Sequence, residues 1–505
     1  MEPKIKIFRN GELIGKAAGV IGETVLERLS AEGVFLDAPC GGKGRCGKCL
    51  VRLSPEGDEV KACQTFVEGD MDIHLPQVMD MKIAGSETVV NGTVSDNLGV
   101  AVDIGTTTVV AHLTDLKAGA RIATASGVNA QRPYGADVIS RIQYCAESGH
   151  ERLTQLIREQ LAELIKKTCA DSGAKCENIR YITIAANTIM QHLAADLSPV
   201  GMGIAPFAPI SLFGEELPAG SDMPVASDAK VYYTPAIASY VGGDITAGML
   251  ACDLEHNQGP AVFLDIGTNG EIAMKVGETY YCCATAAGPA FEGAEISKGM
   301  AAISGAISHV KWEADLELTV IGDAEPQGLC GSGLLDALAI LIRTGAVDET
   351  GRLLDPDEIE HDISKYIGEV DGKNVFWLCR ESGVYLSSVD VRKLQLAKSA
   401  IAAGIQTLLH EAGLTESDVK RFFLAGGFGS YMDQTSAATI GLFPKTFLPV
   451  SQTMGNTAGE GSAMALISED ARKALSSMRD RCEYIELSTS LYFNEQFVEQ
   501  MMFEE

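Results

Sequence analysis

Four cysteines near the start of the chain have a spacing that suits an iron-sulfur cluster. Cys40, Cys46 and Cys49 form a C-x5-C-x2-C run, and Cys63 follows in the next segment. Four thiolates from one compact region are the usual ligand set of a 2Fe-2S cluster. The glycines between them free the backbone to turn its N–H groups toward the cluster sulfurs. The sequence therefore predicts a ferredoxin-type 2Fe-2S site held by these four cysteines.

A structural zinc site is the alternative for the same cysteines. C-x2-C pairs also bind zinc, but such sites draw on a second C-x2-C pair or on two histidines. Neither stands near this loop in the sequence. A zinc site also needs no glycine-rich nest of amides, so we favour the iron-sulfur cluster.

Two further segments have the pattern of a phosphate clamp. Residues 99–108 and 261–270 each run as an apolar strand into Asp-Ile-Gly-Thr. At the ends of these strands Asp103 and Asp265 could hold Mg2+ through water or orient an attacking water. The residues that follow can turn amides and hydroxyls toward phosphate. One such segment could be a chance turn, but two predict a duplicated fold with a phosphate clamp between its halves.

A third glycine-rich turn follows these two segments. Residues 422–430 again run an apolar strand into Gly-Gly-Phe-Gly, and a ribose and adenine could lie flat against such bare backbone. A lone Gly-Gly-x-Gly is weak evidence for a nucleotide site. Placed after the two phosphate segments, it favours a site for ATP.

The elements that must position the cysteines form a small domain. Residues 4–16 alternate in polarity around an Asn-Gly turn, which predicts a β-hairpin. Residues 23–30 have apolar side chains at helical spacing. Strand-like runs between residues 49 and 75 complete an α+β sheet domain. The irregular, polar residues that follow predict a linker that lets this domain move relative to the rest.

The bulk properties restrict the partners and the location. A chain of 505 residues needs two or more domains, and its net charge of -28 argues against nucleic acid. No apolar run is long enough to span a bilayer, and the start lacks a signal-peptide core. An odd total of 13 cysteines without a disulfide framework fits reduced thiols. We therefore expect a cytoplasmic protein of an anaerobic cell, with no membrane or nucleic-acid partner.

The order of the two phosphate segments and the adenosine segment resembles the acetate kinase, sugar kinase, heat-shock ATPase and actin superfamily, whose two lobes close over ATP. The resemblance implies a multidomain protein in which an α+β, β-grasp, ferredoxin-like domain precedes an α/β, two-lobed, duplicated, actin-like ATPase domain. We expect the ferredoxin-like domain at 1–78, the linker at 79–97 and the ATPase domain at 98–505, with lobe I at 98–258 plus 455–505 and lobe II at 259–454.

A ferredoxin-like domain ahead of this ATPase resembles the reductive activators of corrinoid proteins, which use ATP to return an inactivated Co(II) corrinoid to Co(I). The similarity extends over nearly the whole chain. It rests on the motifs at residues 62–64, 186–192, 242–244, 288–293, 329–333, 395–398 and 486–494. The linker leads almost directly to the first phosphate strand, so we expect no middle domain of the kind that some larger activators carry.

The resemblance also implies a set of ATP contacts. The phosphate and magnesium contacts would be Asp103, Gly105, Thr106 and Thr107 from one lobe, and Asp265, Gly267, Thr268 and Asn269 from the other. The nucleoside contacts would be Gly426, Gly427 and Gly429, with Lys398 nearby. Asp244 is a further magnesium candidate. Lys398 could equally be a solvated lysine on a helix over residues 391–409.

The function that the resemblance implies is transfer of one electron from the 2Fe-2S cluster to a Co(II) corrinoid, driven by binding or hydrolysis of ATP with Mg2+. The implied partners are a corrinoid protein of a methyltransferase system and an electron donor such as a low-potential reductase or a ferredoxin. A homodimer stays open. The alternatives are a kinase with the cluster as a redox sensor, and a redox or scaffold protein that ATP regulates. The sequence offers no identified base or sugar pocket for a kinase.

Overall fold

The computed structural model describes residues 3–9, 11–32, 34, 36, 42, 44, 49–55, 57–76, 94–429 and 431–503. Its strands are β1 (Lys4–Arg9), β2 (Glu12–Ala18), β3 (Leu50–Arg52), β4 (Glu59–Lys61), β5 (Met71–Leu75), β6 (Leu98–Ile104), β7 (Thr108–Asp115), β8 (Ala120–Val128), β9 (Ile179–Ala186), β10 (Glu216–Pro218), β11 (Lys230–Tyr233), β12 (Ala261–Ile266), β13 (Gly270–Val276), β14 (Thr279–Thr285), β15 (Ala306–Trp312), β16 (Leu316–Val320), β17 (Gly328–Leu329), β18 (Ile367–Val370), β19 (Lys373–Cys379), β20 (Val384–Ser387), β21 (Arg421–Ala425), β22 (Ser451–Gly455) and β23 (Cys482–Tyr484). Its α-helices are α1 (Val25–Ala31), α2 (Val138–Ser148), α3 (Glu151–Ser172), α4 (Thr188–Ala194), α5 (Gly243–Ala251), α6 (Gly331–Arg343), α7 (Ser388–Glu411), α8 (Gln434–Thr439), α9 (Thr457–Ile467), α10 (Glu469–Asp480) and α11 (Leu491–Glu499).

The N-terminal domain is a five-stranded mixed sheet with the order β2-β1-β5-β3-β4. β1 runs parallel to β5, and the other neighbours are antiparallel. Helix α1 begins at a capping box between Thr24 and Glu27 and buries Val25, Leu26 and Leu29. A capping box satisfies two backbone N–H groups that the first turn leaves without partners. The predicted small α+β domain is confirmed.

The rest of the chain contains two six-stranded sheets of matching design. The first has the order β10-β11-β9-β6-β7-β8 and the second β22-β21-β12-β13-β14-β23. Each sheet contains an antiparallel meander of three strands, β6-β7-β8 in the first and β12-β13-β14 in the second. A further strand pairs in parallel with the first strand of each meander: β9 with β6, and β21 with β12. The central strands are nearly continuous apolar runs because both faces are buried. The duplication predicted from the two Asp-Ile-Gly-Thr segments is present.

Helices α5 and α9 pack against each other between the two sheets. They approach so closely that a Cβ on Gly461 would lie 2.0 Å from the carbonyl oxygen of Ala247. The Thr183 hydroxyl of β9 donates to the Ser462 carbonyl at 2.8 Å. This contact joins the C-terminal part of the chain to the first sheet.

The C-terminal segment divides between the two sheets. We expected residues 455–505 to belong to lobe I as a whole, and α9 does pack against β6 and β9. However, β23 pairs in parallel with β14 at the edge of the second sheet, and α11 packs against α7. The rings of His410 and Tyr492 stack at 3.9 Å between these helices. The last strand thereby covers the open edge of the second sheet.

Two predictions fall largely on residues that the structure does not describe. The linker predicted over residues 79–97 lies mostly within the segment 77–93, which is outside the described residues. Cys40 and Cys46 are outside them as well. No helix in the described part of the chain is long and apolar enough to cross a membrane.

Candidate functional site

Two of the four predicted cluster cysteines lie side by side in the N-terminal domain. The sulfurs of Cys49 and Cys63 are 3.3 Å apart, and both residues are buried. The pairing of β3 with β4 brings them together, and the Ala62 N–H donates to the Cys49 carbonyl at 2.7 Å. The sheet register therefore fixes the separation of these two thiols.

Two glycines of the cysteine-rich segment, Gly42 and Gly44, are among the described residues. Gly42 and Gly44 have φ values of +78° and +73°, and a Cβ on Gly42 would lie 3.8 Å from the Cys63 Cβ. Lys61 donates to the Gly44 carbonyl at 3.3 Å. In the sequence these two glycines lie between Cys40 and Cys46. This arrangement fits a cluster held by four cysteines with backbone amides turned toward it.

The phosphate segments lie at the carboxyl ends of the parallel strands. Asp103 of β6 pairs with Ala185 of β9, and Asp265 of β12 pairs with Ala425 of β21. The chain after β21 turns at Gly426, where a Cβ would lie 2.6 Å from the Asp265 carboxylate. The structure thus brings the predicted nucleoside segment and the second phosphate segment together. Open sheets of this kind bind their ligands beyond the carboxyl ends of the strands.

A supporting loop turns the first phosphate segment toward the cleft. The side-chain amide and the N–H of Asn129 donate to the carbonyls of Gly105 and Thr107, both at 2.8 Å. Arg141 donates to the Thr106 carbonyl at 2.6 Å. In a trans peptide the N–H points away from the preceding carbonyl. The amides of Thr106 and Thr107 therefore face away from this support and are not used by it.

Arg141 is a site residue that sequence reasoning missed. It is completely buried on α2, and burial together with the charge of Arg132 lowers its pKa to about 9. It also donates to the Gly135 carbonyl at 3.0 Å. The signal in the sequence is an arginine at the same helical spacing as the buried residues Val138, Ile142 and Cys145.

Three predicted aspartates crowd the cleft. Burial raises the pKa of Asp103 to about 6, although Asn456 donates to this carboxylate at 2.9 Å. Burial and the charge of Asp103 raise the pKa of Asp265 to about 7. Burial, then Asp265 and Asp103, raise the pKa of Asp244 to about 8. These acids repel one another, and a bound cation would relieve that repulsion.

The acids are spread around the cleft, and they do not form a closed metal cage. In the part of the chain that the structure describes, no group of three or more His, Cys, Asp or Glu side chains could hold a metal ion directly. Mg2+ usually keeps several waters and takes one or two carboxylates plus the phosphates of its nucleotide. The arrangement therefore fits a magnesium ion that arrives with a nucleotide.

Two glutamates of the cleft were not predicted. Burial, and then the charges of Asp244 and Asp265, raise the pKa of Glu271 well above its usual value. Its carboxylate accepts a hydrogen bond from the Asn269 amide at 3.2 Å. Glu292 accepts from the Thr268 hydroxyl at 2.9 Å and from the Thr107 hydroxyl at 3.5 Å. In the sequence, Glu271 directly follows the second phosphate turn, and Glu292 belongs to the motif at residues 288–293.

Lys398 is not the solvated lysine that we considered. It is 1% exposed, and its ammonium group donates to the Met502 carbonyl at 2.8 Å. The Phe503 ring lies 4.9 Å from the same nitrogen. The alternative of a solvated side chain is wrong because the C-terminal tail covers this face of α7. Contact between Lys398 and a nucleotide stays a prediction.

Comparison with known proteins decides the family. The chain is 31% identical to the corrinoid activation enzyme RamQ of Eubacterium limosum, over 93% of this chain and 94% of the relative. This chain belongs to the family of corrinoid activation enzymes. The reductase of the methylated amine-specific corrinoid protein of Methanosarcina barkeri is 26% identical over 71% of this chain and 68% of its own length.

A solved structure supports the same family. The reductive activator for corrinoid, iron-sulfur protein matches 99% of this chain and 98% of its own, with a TM-score of 0.72 and 29% identity. The resemblance inferred from the sequence motifs is thus confirmed. So is the fold class, a ferredoxin-like domain followed by a two-lobed domain of the actin type.

Models of three protein families match successive parts of this chain. Residues 14–71 match the 2Fe-2S iron-sulfur cluster binding domain, which favours the cluster over zinc. Residues 259–505 match the C-terminal domain of RACo, which is described as the ASKHA domain. ASKHA denotes the superfamily of acetate and sugar kinases, heat-shock ATPases and actin. Residues 98–257 match the RACo middle region. This match begins with the first phosphate strand, β6, and coincides with the segment that we assigned to lobe I. The expectation that no additional domain precedes this strand stays a prediction.

The crowded acids predict an unusual pH dependence of stability. The pKa of Asp244 is about 8 in the folded protein and near 3.9 when unfolded. The folded state therefore binds more protons, and stability of the metal-free protein falls as pH rises from about 4 to about 8. We expect Asp244→Asn to raise the free energy of unfolding by several kcal/mol at pH 8 and by much less at pH 5. Urea titration at both pH values measures this difference.

Asp228, an exposed acid of the same sheet region, provides the control. Its side chain is 75% exposed and pairs with Arg180, so Asp228→Asn should change stability little at either pH. If Asp244→Asn changed the free energy of unfolding no more than Asp228→Asn does, at pH 5 and at pH 8 alike, the pKa of Asp244 would not be raised.

Proposed function

We propose that this protein returns a corrinoid protein from Co(II) to Co(I) by transfer of one electron from its 2Fe-2S cluster, and that ATP drives the step. The observation that carries the proposal is the presence of a buried thiol pair and a two-lobed phosphate cleft in one chain. The near full-length similarity to RamQ, a corrinoid activation enzyme, supports it.

The residues of the chain take three roles in this proposal. Cys40, Cys46, Cys49 and Cys63 hold the cluster, which supplies one-electron transfer when bound. The amides and hydroxyls of the two phosphate turns bind ATP, with Gly426, Gly427 and Gly429 beside the nucleoside and Lys398 supporting the same side. Asp103, Asp265 and Asp244 neutralise the charge of Mg2+, and the first two orient the attacking water.

Because the two phosphate turns come from different sheets, ATP that contacts both holds the lobes together. A ligand shifts a conformational equilibrium only by its differential affinity for the two states. Binding or hydrolysis of ATP therefore drives the reduction by favouring a closed form that binds the corrinoid protein in a more easily reduced state. The phosphoryl group goes to water.

The partners follow from the same proposal. The electron acceptor is a corrinoid protein of a methyltransferase system, and a low-potential reductase or ferredoxin supplies the electron. We place the protein in the cytoplasm, where its free thiols stay reduced. It acts as a monomer or as a homodimer.

Reduction of a purified corrinoid protein tests the proposal. We expect Co(I) to form from the Co(II) state only when the activator, a reductant and Mg-ATP are all present. We also expect release of phosphate to rise when the corrinoid protein is added. Equal reduction without nucleotide, together with ATP consumption that ignores the corrinoid protein, would contradict the proposal. ATP-dependent phosphorylation of a small molecule would favour a kinase.

A further inference from the structure

Glu292 bridges the two phosphate segments. It ends the short helical turn Pro289–Glu292 that follows β14 in the second lobe. One carboxylate oxygen accepts from Thr268 of the second phosphate segment at 2.9 Å. The other accepts from Thr107 of the first segment, 185 residues away in the chain, at 3.5 Å. A single carboxylate therefore spans the gap between the lobes.

The groups around Glu292 are those that an anion needs. Burial raises the pKa of Glu292, while the hydrogen bond from Thr268, the positive charge of Arg132 and the hydrogen bond from Thr107 each lower it. Thr107 and Thr268 are also the hydroxyls that we expect to contact the phosphates of ATP. Two anions cannot share the same donors without strong repulsion. A nucleotide whose phosphate reaches both hydroxyls must therefore displace Glu292.

We propose that the Glu292 carboxylate occupies the position of the terminal phosphate of a nucleoside triphosphate, so that the site distinguishes triphosphate from diphosphate by whether this side chain must leave. This inference rests on the proposed binding of ATP in the cleft. A diphosphate is one phosphoryl group shorter and leaves the bridge in place. Glu292 is thus a residue that determines nucleotide specificity.

The segment after Glu292 connects this bridge to α7. Glu295 has a φ of +65°, which is unusual for a residue with a side chain, and its carbonyl accepts from Lys393 of α7. The Ser297 N–H donates to Asp390, also on α7, at 2.8 Å. A displacement of Glu292 therefore moves a segment that is fastened to the first turns of α7. Triphosphate, and not diphosphate, would shift this part of the second lobe.

Nucleotide affinity of a Glu292→Gln variant tests the inference. Glutamine keeps the shape and one acceptor oxygen but removes the charge that repels phosphate. By calorimetry with Mg2+, we expect the variant to bind a non-hydrolysable ATP analogue about tenfold more tightly than wild type, because like charges brought together cost affinity. Its affinity for ADP should stay at the wild-type value. Glu295→Gln is the matched control, since this acid of the same segment is exposed, and both affinities should be unchanged.

A second measurement uses the wild-type protein alone. Hydrogen exchange of the peptide over residues 289–299 should change with the ATP analogue and stay unchanged with ADP. If wild type binds neither nucleotide, the proposed function fails. Suppose that wild type binds both nucleotides, that Glu292→Gln changes neither affinity or changes both equally, and that the 289–299 peptide responds equally to the ATP analogue and to ADP. The role proposed for Glu292 would then be wrong, while ATP binding would stand.

Discussion

Replacing Cys63 with serine is expected to remove the 2Fe-2S cluster and, with it, all ATP-dependent reduction of the corrinoid protein. Thiolates are the ligands of such clusters, and a serine hydroxyl stays protonated where a cysteine would lose its proton. Cys63 is buried, and its sulfur lies 3.3 Å from the Cys49 sulfur. A ligand from the solvent therefore cannot readily replace it. Iron and sulfide content, the visible spectrum and the yield of Co(I) measure the loss. The same outcome is expected of Cys46→Ser.

Nucleotide binding should survive this substitution because the phosphate segments lie in other sheets. Cys379 supplies the control: it is a half-buried free cysteine at the end of β19, and Cys379→Ser should keep both cluster and reduction. A Cys63→Ser protein with a full complement of iron and wild-type reduction would remove Cys63 from the ligand set. Loss of ATP binding in the same variant would instead indicate a folding defect.

The strands that carry the site could be predicted because their signals are local. An apolar run that ends in Asp-Ile-Gly-Thr specifies a buried strand and the turn after it within ten residues. Its repetition specifies the duplication without any knowledge of tertiary contacts. Asp103 and Asp265 accordingly stand at the ends of β6 and β12, next to β9 and β21.

The residues that were missed depend on contacts between distant parts of the chain. Glu292 reaches the first phosphate segment only because the fold brings the second lobe into contact with Thr107. Arg141 supports that segment only because α2 packs beside the Thr106 carbonyl. Lys398 is buried by the C-terminal tail, about which its own helix carries no signal. Such placements depend on tertiary packing, which overrides what local sequence favours.

The second large effect is expected at Asp265. Replacement by asparagine keeps the shape but removes the charge that, in the proposed function, would face Mg2+ and the attacking water. Loss of one such electrostatic group typically costs about 10²–10³ in rate, and we expect a loss of that size in single-turnover hydrolysis of ATP. Because Asp265 is buried and repelled by Asp103, the metal-free variant should be at least as stable as wild type at pH 8. Failure to fold can thus be told apart from failure of chemistry.

Glu278 supplies the matched control, since it lies in the turn between β13 and β14 of the same sheet with its side chain 89% exposed. Glu278→Gln should hydrolyse ATP at the wild-type rate. The Asp265→Asn protein should keep its cluster and accept an electron from a reductant, yet Co(I) should no longer accumulate. A variant with an intact cluster that no longer forms Co(I) would show that electron transfer to cobalt needs the ATPase domain as well as the cluster domain. If Asp265→Asn hydrolysed ATP at the wild-type rate, this carboxylate would have no role in hydrolysis. If hydrolysis were lost but Co(I) still formed in full, ATP binding alone would drive the electron to cobalt.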